Sequence, residues 1–73
     1  MEIPLYSKYL DNKQRLFIVI ERSGKINVKD GNITIVPSTI KLLNVAEETV
    51  KYFEHEEFVN YLKKNILVKY KAA

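Results

Sequence analysis

The chain has no cysteine, one histidine, two glycines and no long apolar run. Each shortage closes off a class of chemistry. Without cysteine there are no disulfides, no zinc ribbon and no thiol nucleophile. A single histidine argues against a structural zinc site, and neither a metal nor a cofactor is expected. Gly24 and Gly31 are the whole supply of glycine, too few for a phosphate-cradling loop. Ser7, Ser23 and Ser38 stand in no recognisable nucleophile motif, and a small chain seldom encloses a substrate pocket, so no enzyme is expected. The longest apolar stretch, LFIVI at residues 16–20, is far short of the roughly 18 residues that cross a bilayer. No basic stretch leads into an apolar one after Met1, so the expectation is a cytoplasmic protein without a signal peptide or a membrane partner.

What is present suits one domain over residues 1–73, with 47% hydrophobic and 29% charged residues. A chain this short buries only about 60% of the surface its unfolded form exposes. Domains of this size usually add disulfides, a metal or a partner chain. Only the last is open here, so a homodimer is expected. The net charge of +3 leans mildly toward a polyanionic partner.

The middle of the chain carries the clearest structural signal. In KINVKDGNITIV, Asp30-Gly31 fits a type I′ turn, which needs positive φ at both central positions. Reading outward, Lys29 faces Asn32, Val28 faces Ile33, Asn27 faces Thr34 and Ile26 faces Ile35. Apolar meets apolar and polar meets polar at every rung. The preceding stretch RLFIVIE matches this pattern if Arg22-Ser23-Gly24 forms a three-residue loop with Gly24 left-handed. Glu21 then meets Lys25, Ile20 meets Ile26 and Ile18 meets Val28. That meander predicts a core face of Leu16, Ile18, Ile20, Ile26, Val28, Ile33 and Ile35. Its other face carries Phe17 and Val19 on one strand and Lys25, Asn27, Lys29, Asn32 and Thr34 on the hairpin.

The opening IPLYSKYLDNK reads as a strand beside residues 15–21, or else as a short helix begun by Pro4; the strand is preferred. STIKLLN reads either as a short helix capped by Ser38 or as an extended edge, while TVKYF and ILVKYK alternate as strands do. FEHEEF sets the lone histidine among three glutamates. On one continuous helix Phe53 and Phe58 would point roughly 140° apart. Starting the helix at Glu54 removes the conflict and gives the two phenylalanines hydrophobic-staple spacing. Glu54, Glu56 and Glu57 then sit at the positive end of the helix dipole, Lys63 and Lys64 at the negative end, and Asn65 suits the left-handed stop. His55 has Val59 four residues on, not a second ligand, so the cluster reads as a helix start. The expected fold is α+β: a small antiparallel β-meander sheet of three to five strands, packed by one C-terminal helix over about 54–64, with a final short strand.

Two kinds of partner follow. A two-stranded ribbon bearing lysine and asparagine is an element that fits the DNA major groove. The nucleic-acid-binding set, for DNA or RNA, is Arg15, Arg22, Lys25, Asn27, Lys29, Asn32, Thr34, Lys69 and Lys71, and the role is that of a DNA-binding regulator. The alternative is a protein-interaction module or inhibitor. Its surface, also the expected dimer interface, is Phe17 and Val19 with Tyr6 and Tyr9, in a chain with five tyrosines. DGNITIVPSTIKLLNVAEETVKYF also resembles, over about a third of the chain, the glycine–strand–proline–short-helix–strand pattern of the AbrB/MazE-like swapped-hairpin DNA-binding fold, with Lys41 as the basic residue of the short helix. That resemblance implies a DNA-binding role.

Overall fold

In the computed structural model, which describes residues 2–71, Asp30 and Gly31 have φ of 52° and 79°. This is the pair of positive values a type I′ turn requires. The turn joins strand β2 (Leu16–Lys29) to β3 (Asn32–Asn44), and the rungs from Lys29↔Asn32 to Ile26↔Ile35 pair as the sequence predicts. Around this hairpin lie β1 (Lys8–Asp11), β4 (Thr49–Glu54), helix α1 (His55–Lys63) and β5 (Leu67–Lys69). The sheet is antiparallel throughout, in the order β4-β3-β2-β1-β5. The α+β architecture, the opening strand beside β2 and the closing strand are as expected.

The meander is not. β2 runs straight through Arg22-Ser23-Gly24, so Glu21 does not meet Lys25, nor Ile20 Ile26, nor Ile18 Val28. Gly24 lacks the positive φ that a loop there would need. It lies extended opposite Pro37, where a Cβ would come within 2.7 Å of Ile35 Cγ2. STIKLLN, which the AbrB/MazE-like pattern makes a short helix, is the second half of β3 and pairs with both β2 and β4. Pro37 does not end that strand, because a register irregularity beside it accommodates the missing N–H.

Two irregularities also decide which side chains face inward. The register slips at Ile20, between Val19 and Glu21, and again across Ser38. Each extra residue reverses the alternation of faces. Ile18 and Ile26 therefore stand on opposite faces, although an unbroken strand would put them together. The core is Ile3, Tyr9, Val19, Ile40, Leu42, Phe58 and Leu67, with Phe17, Phe53, Val59, Tyr61 and Leu62 packed against it. α1 covers the face that carries Phe17 and Val19. The opposite face of the sheet, with Leu16 and Ile18, is only half-buried, and no helix or strand among the described residues packs over it.

The helix begins where the dipole argument places it. Glu54 is the N-cap residue, extended at φ −65° and ψ 142°, though its side chain makes no capping bond. Phe58 is buried, and Phe53 packs edge-on against Tyr61 with ring centroids 6.0 Å apart. At the other end Asn65 takes φ 57°. Its N–H bonds to the Leu62 carbonyl and that of Ile66 to Tyr61, at 3.2 and 2.9 Å. This is the paired closure of a Schellman stop.

The β1–β2 loop is built on one buried carboxylate. Asp11 Oδ1 accepts from the backbone N–H groups of Lys13 and Arg15, both at 2.9 Å, and Oδ2 from Arg15 Nε at 2.6 Å. Burial pushes its pKa up, but these donors and the guanidinium charge outweigh that and hold it below the ordinary 3.8. A depressed carboxylate stabilises the fold above its unfolded pKa, and the contribution is lost as pH falls through the folded value. Asp11→Asn is therefore expected to cost on the order of 1–2 kcal/mol at pH 7, since Arg15 is partly in water. Urea titrations of the two proteins should draw together as the pH falls below 3.8.

Candidate functional site: the hairpin arm

β1 pairs with β2 only as far as Ile18, and the segment ahead of it extends the contact to Val19 through the Tyr6 N–H to Val19 carbonyl bond of 2.7 Å. β4 reaches only Thr39 along β3. Beyond those points no strand among the described residues pairs with either edge, and over residues 24–36 the hairpin continues as a two-stranded arm. The fourteen residues of β2, at roughly 3.3 Å each, account for the molecule's long axis of 46 Å, against 24 and 21 Å across.

The arm has two unlike faces. One carries Lys25, Asn27, Lys29, Asn32 and Thr34, all exposed. Thr34 Oγ1 donates to the Asn27 carbonyl at 3.4 Å, which ties the two strands together. Val36 lies beside Lys25 on this face. The other face carries Ile26, Val28, Ile33 and Ile35, which are 73%, 64%, 72% and 73% exposed. The sequence places these four in the core; instead they continue the helix-covered face of the sheet past the end of its cover. A contiguous exposed apolar patch marks an interaction surface, whereas scattered exposed apolar residues do not.

The rest of the nucleic-acid set does not join the arm. Arg15 is bound to Asp11, with its guanidinium carbon 5.9 Å from the centre of the Phe17 ring. Arg22 lies on the helix side of the sheet and donates to the Ile3 carbonyl at 2.8 Å. Lys69 pairs with Tyr9, which pairs with Phe17, so it stands eight residues short of Lys25 along β2, roughly 26 Å at strand rise. Lys71 follows it past the end of β5. Asp30 at the tip offsets one of the arm's two lysines.

The proposed protein interface of Phe17, Val19, Tyr6 and Tyr9 is mostly interior. Val19 is 0% exposed and Tyr9 3%, its ring meeting Phe58 edge-on at 5.1 Å. Phe17 packs against the same core, and only Tyr6 lies open. The helix packs over the face that carries Phe17, Val19 and Tyr9, and Val19 and Tyr9 are closed to a partner there.

Two open clefts flank the core. One of about 240 Å³ lies at the base of the arm on its apolar side, among Ile3, Arg22, Gly24, Ile35, Pro37 and His55. The other, about 250 Å³, lies near Asp11, Phe17, Asn44, Lys51 and Tyr61. Beside it the Glu57 carboxylate accepts from the Tyr61 hydroxyl at 3.2 Å. That bond, with burial and the carboxylate's charge, raises the phenol's pKa. Among the described residues no three His, Asp or Glu side chains gather as a metal site. No helix among them is long and apolar enough to cross a membrane.

The free arm follows from element lengths, since four residues of β1 and six of β4 cannot flank strands of fourteen and thirteen, and a reading that broke β2 at residues 22–24 could not find it. Compared with known protein families, curated proteins and solved structures, the chain matches none.

Proposed function

We propose that the protein is a cytoplasmic, non-enzymatic binding module whose working part is the arm, and that the arm's apolar face packs against a protein surface. The observation that carries this is the exposure of four β-branched side chains on one face of a ribbon that none of the described residues covers. Each is worth about 1.5–3 kcal/mol when fully buried. A two-stranded ribbon is at best marginally stable in water by itself, so a covering partner also stabilises the arm.

The opposite face favours a second reading, the one drawn from the sequence. Lys25, Asn27, Lys29, Asn32 and Thr34 stand together on a ribbon narrow enough for a major groove, with lysines suited to phosphates and asparagines to base edges. The two readings use opposite faces of one arm and do not compete for residues.

One experiment tests both. A photo-cross-linking amino acid is placed at Ile26 or at Asn27, and the protein is irradiated in cells that produce it. The first reading expects discrete protein adducts from position 26, including adducts with the protein itself. The second expects nucleic-acid adducts from position 27. Position 26 yielding no more adduct than a label at exposed Glu47 overturns the first reading, and the same result at position 27 overturns the second.

A further inference from the structure

We infer that the apolar face of the arm is an interface with a second copy of this chain, the two arms stacked face to face and pointing opposite ways, so that each tip enters the cleft at the base of the other. This rests on the reading that the apolar face takes a protein. What singles out a second copy is the profile of the face. Its rungs are Val28–Ile33 toward the tip, Ile26–Ile35 in the middle and Gly24–Pro37 at the base. The outer rung raises two branched side chains, while the base rung has none on one strand and opens into the cleft of about 240 Å³. A two-fold axis along the middle rung sets Val28 of each copy over Gly24 of the other and Ile33 over Pro37. Ile26 and Ile35 meet their own counterparts. High rung meets low rung twice.

Residue 24 must be glycine in this fold: a Cβ there would come within 2.7 Å of Ile35 Cγ2, so the base rung can raise no side chain on β2. The cleft, about 240 Å³, is larger than the ~150 Å³ cavity that accepts a benzene ring in another protein, so it has room for a side chain of the opposing tip.

Area also favours a second copy over a one-sided partner. At about 25 cal/mol per Å², the transfer values for branched side chains correspond to ~60–120 Å² each. Four side chains from each of two copies give roughly 500–1,000 Å², against about 1,200 Å² or more in stable interfaces. The two tip-in-cleft contacts supply the remainder, and only a partner that brings its own arm and cleft makes both.

The test is sedimentation equilibrium of the full chain from micromolar to millimolar concentration, with folding checked by circular dichroism. The wild type is expected to dimerise. Val28→Glu, at a position open to water in the monomer, should weaken association by ~100-fold or more, because the two-fold repeats the loss. Val50→Lys, on the uncovered face of the sheet, should leave it unchanged. With the variant Ile26→Cys, a short bis-maleimide should link the two copies, while Asn27→Cys on the polar face should not link. A wild type monomeric at millimolar concentration overturns the inference, as does a dimer dissolved by Val50→Lys but not by Val28→Glu. If that monomer still gives adducts with other proteins from a cross-linker at position 26, the arm's protein-binding role stands and only the second copy falls.

Discussion

Val19→Lys abolishes the folded state, whereas Ile26→Lys, further along the same strand, leaves stability within about 1 kcal/mol of the parent. Both are branched aliphatics on β2, and neither composition nor local propensity separates them. Their surroundings do. Val19 is 0% exposed, opposite Leu42, with its N–H and carbonyl tied to Ser7 and Tyr6. A lysine there must bury its ammonium without a partner or tear the strand from the helix, at a cost of several kcal/mol. A domain of this length holds roughly 4–11 kcal/mol in total, so the change removes most or all of it. Ile26 is 73% exposed, and its side chain is already in water in the monomer. Urea unfolding followed by circular dichroism, at a concentration too low for self-association, separates the two. The reverse result would put Ile26 and Val28 inside and remove the arm's apolar face altogether.

The contrast also marks how far the sequence could be read. Signals confined to a few neighbouring residues were legible. Asp30-Gly31 set the turn and the first four rungs, Glu54 marked the helix start, and Asn65 marked its end, because each depends on φ or on charge within one turn of chain. The polar face of the arm was legible for the same reason, since Lys25 to Thr34 lie around a single turn. The bulge at Ile20 left no local trace. One unpaired residue reversed the parity of everything beyond it, so a pattern that looked like one continuous core face became two faces on opposite sides. The sites of Arg15, Lys69 and Lys71 were not legible either. Their distance from the arm follows from how β1 and β5 add to the far half of β2, and residue type carries no record of that. The tyrosines misled in a related way. Tyr9 reads as an interface residue by type, but strand β1 places it under Phe58.

Phe58→Ala is expected to lose about 3–5 kcal/mol, a large share of the roughly 4–11 kcal/mol that a domain of this length holds. Phe58 is the one fully buried side chain of α1, and it meets Tyr9 edge-on with ring planes 87° apart. The helix has nine residues, below the ~12–15 at which an isolated helix becomes even marginally stable. Its order therefore comes from this attachment. Truncation leaves a cavity in the core beside Tyr9. Phe58→Leu should cost only about 1–2 kcal/mol, because most of the volume is kept. Far-ultraviolet circular dichroism and urea midpoints measure both, and amide exchange along α1 distinguishes a detached helix from global unfolding. A loss below 1 kcal/mol for the alanine variant, by whatever measure, would mean that the helix is not what shields Val19 and Tyr9 from water. The face that carries Phe17 and Val19 would then be free to meet a partner after all.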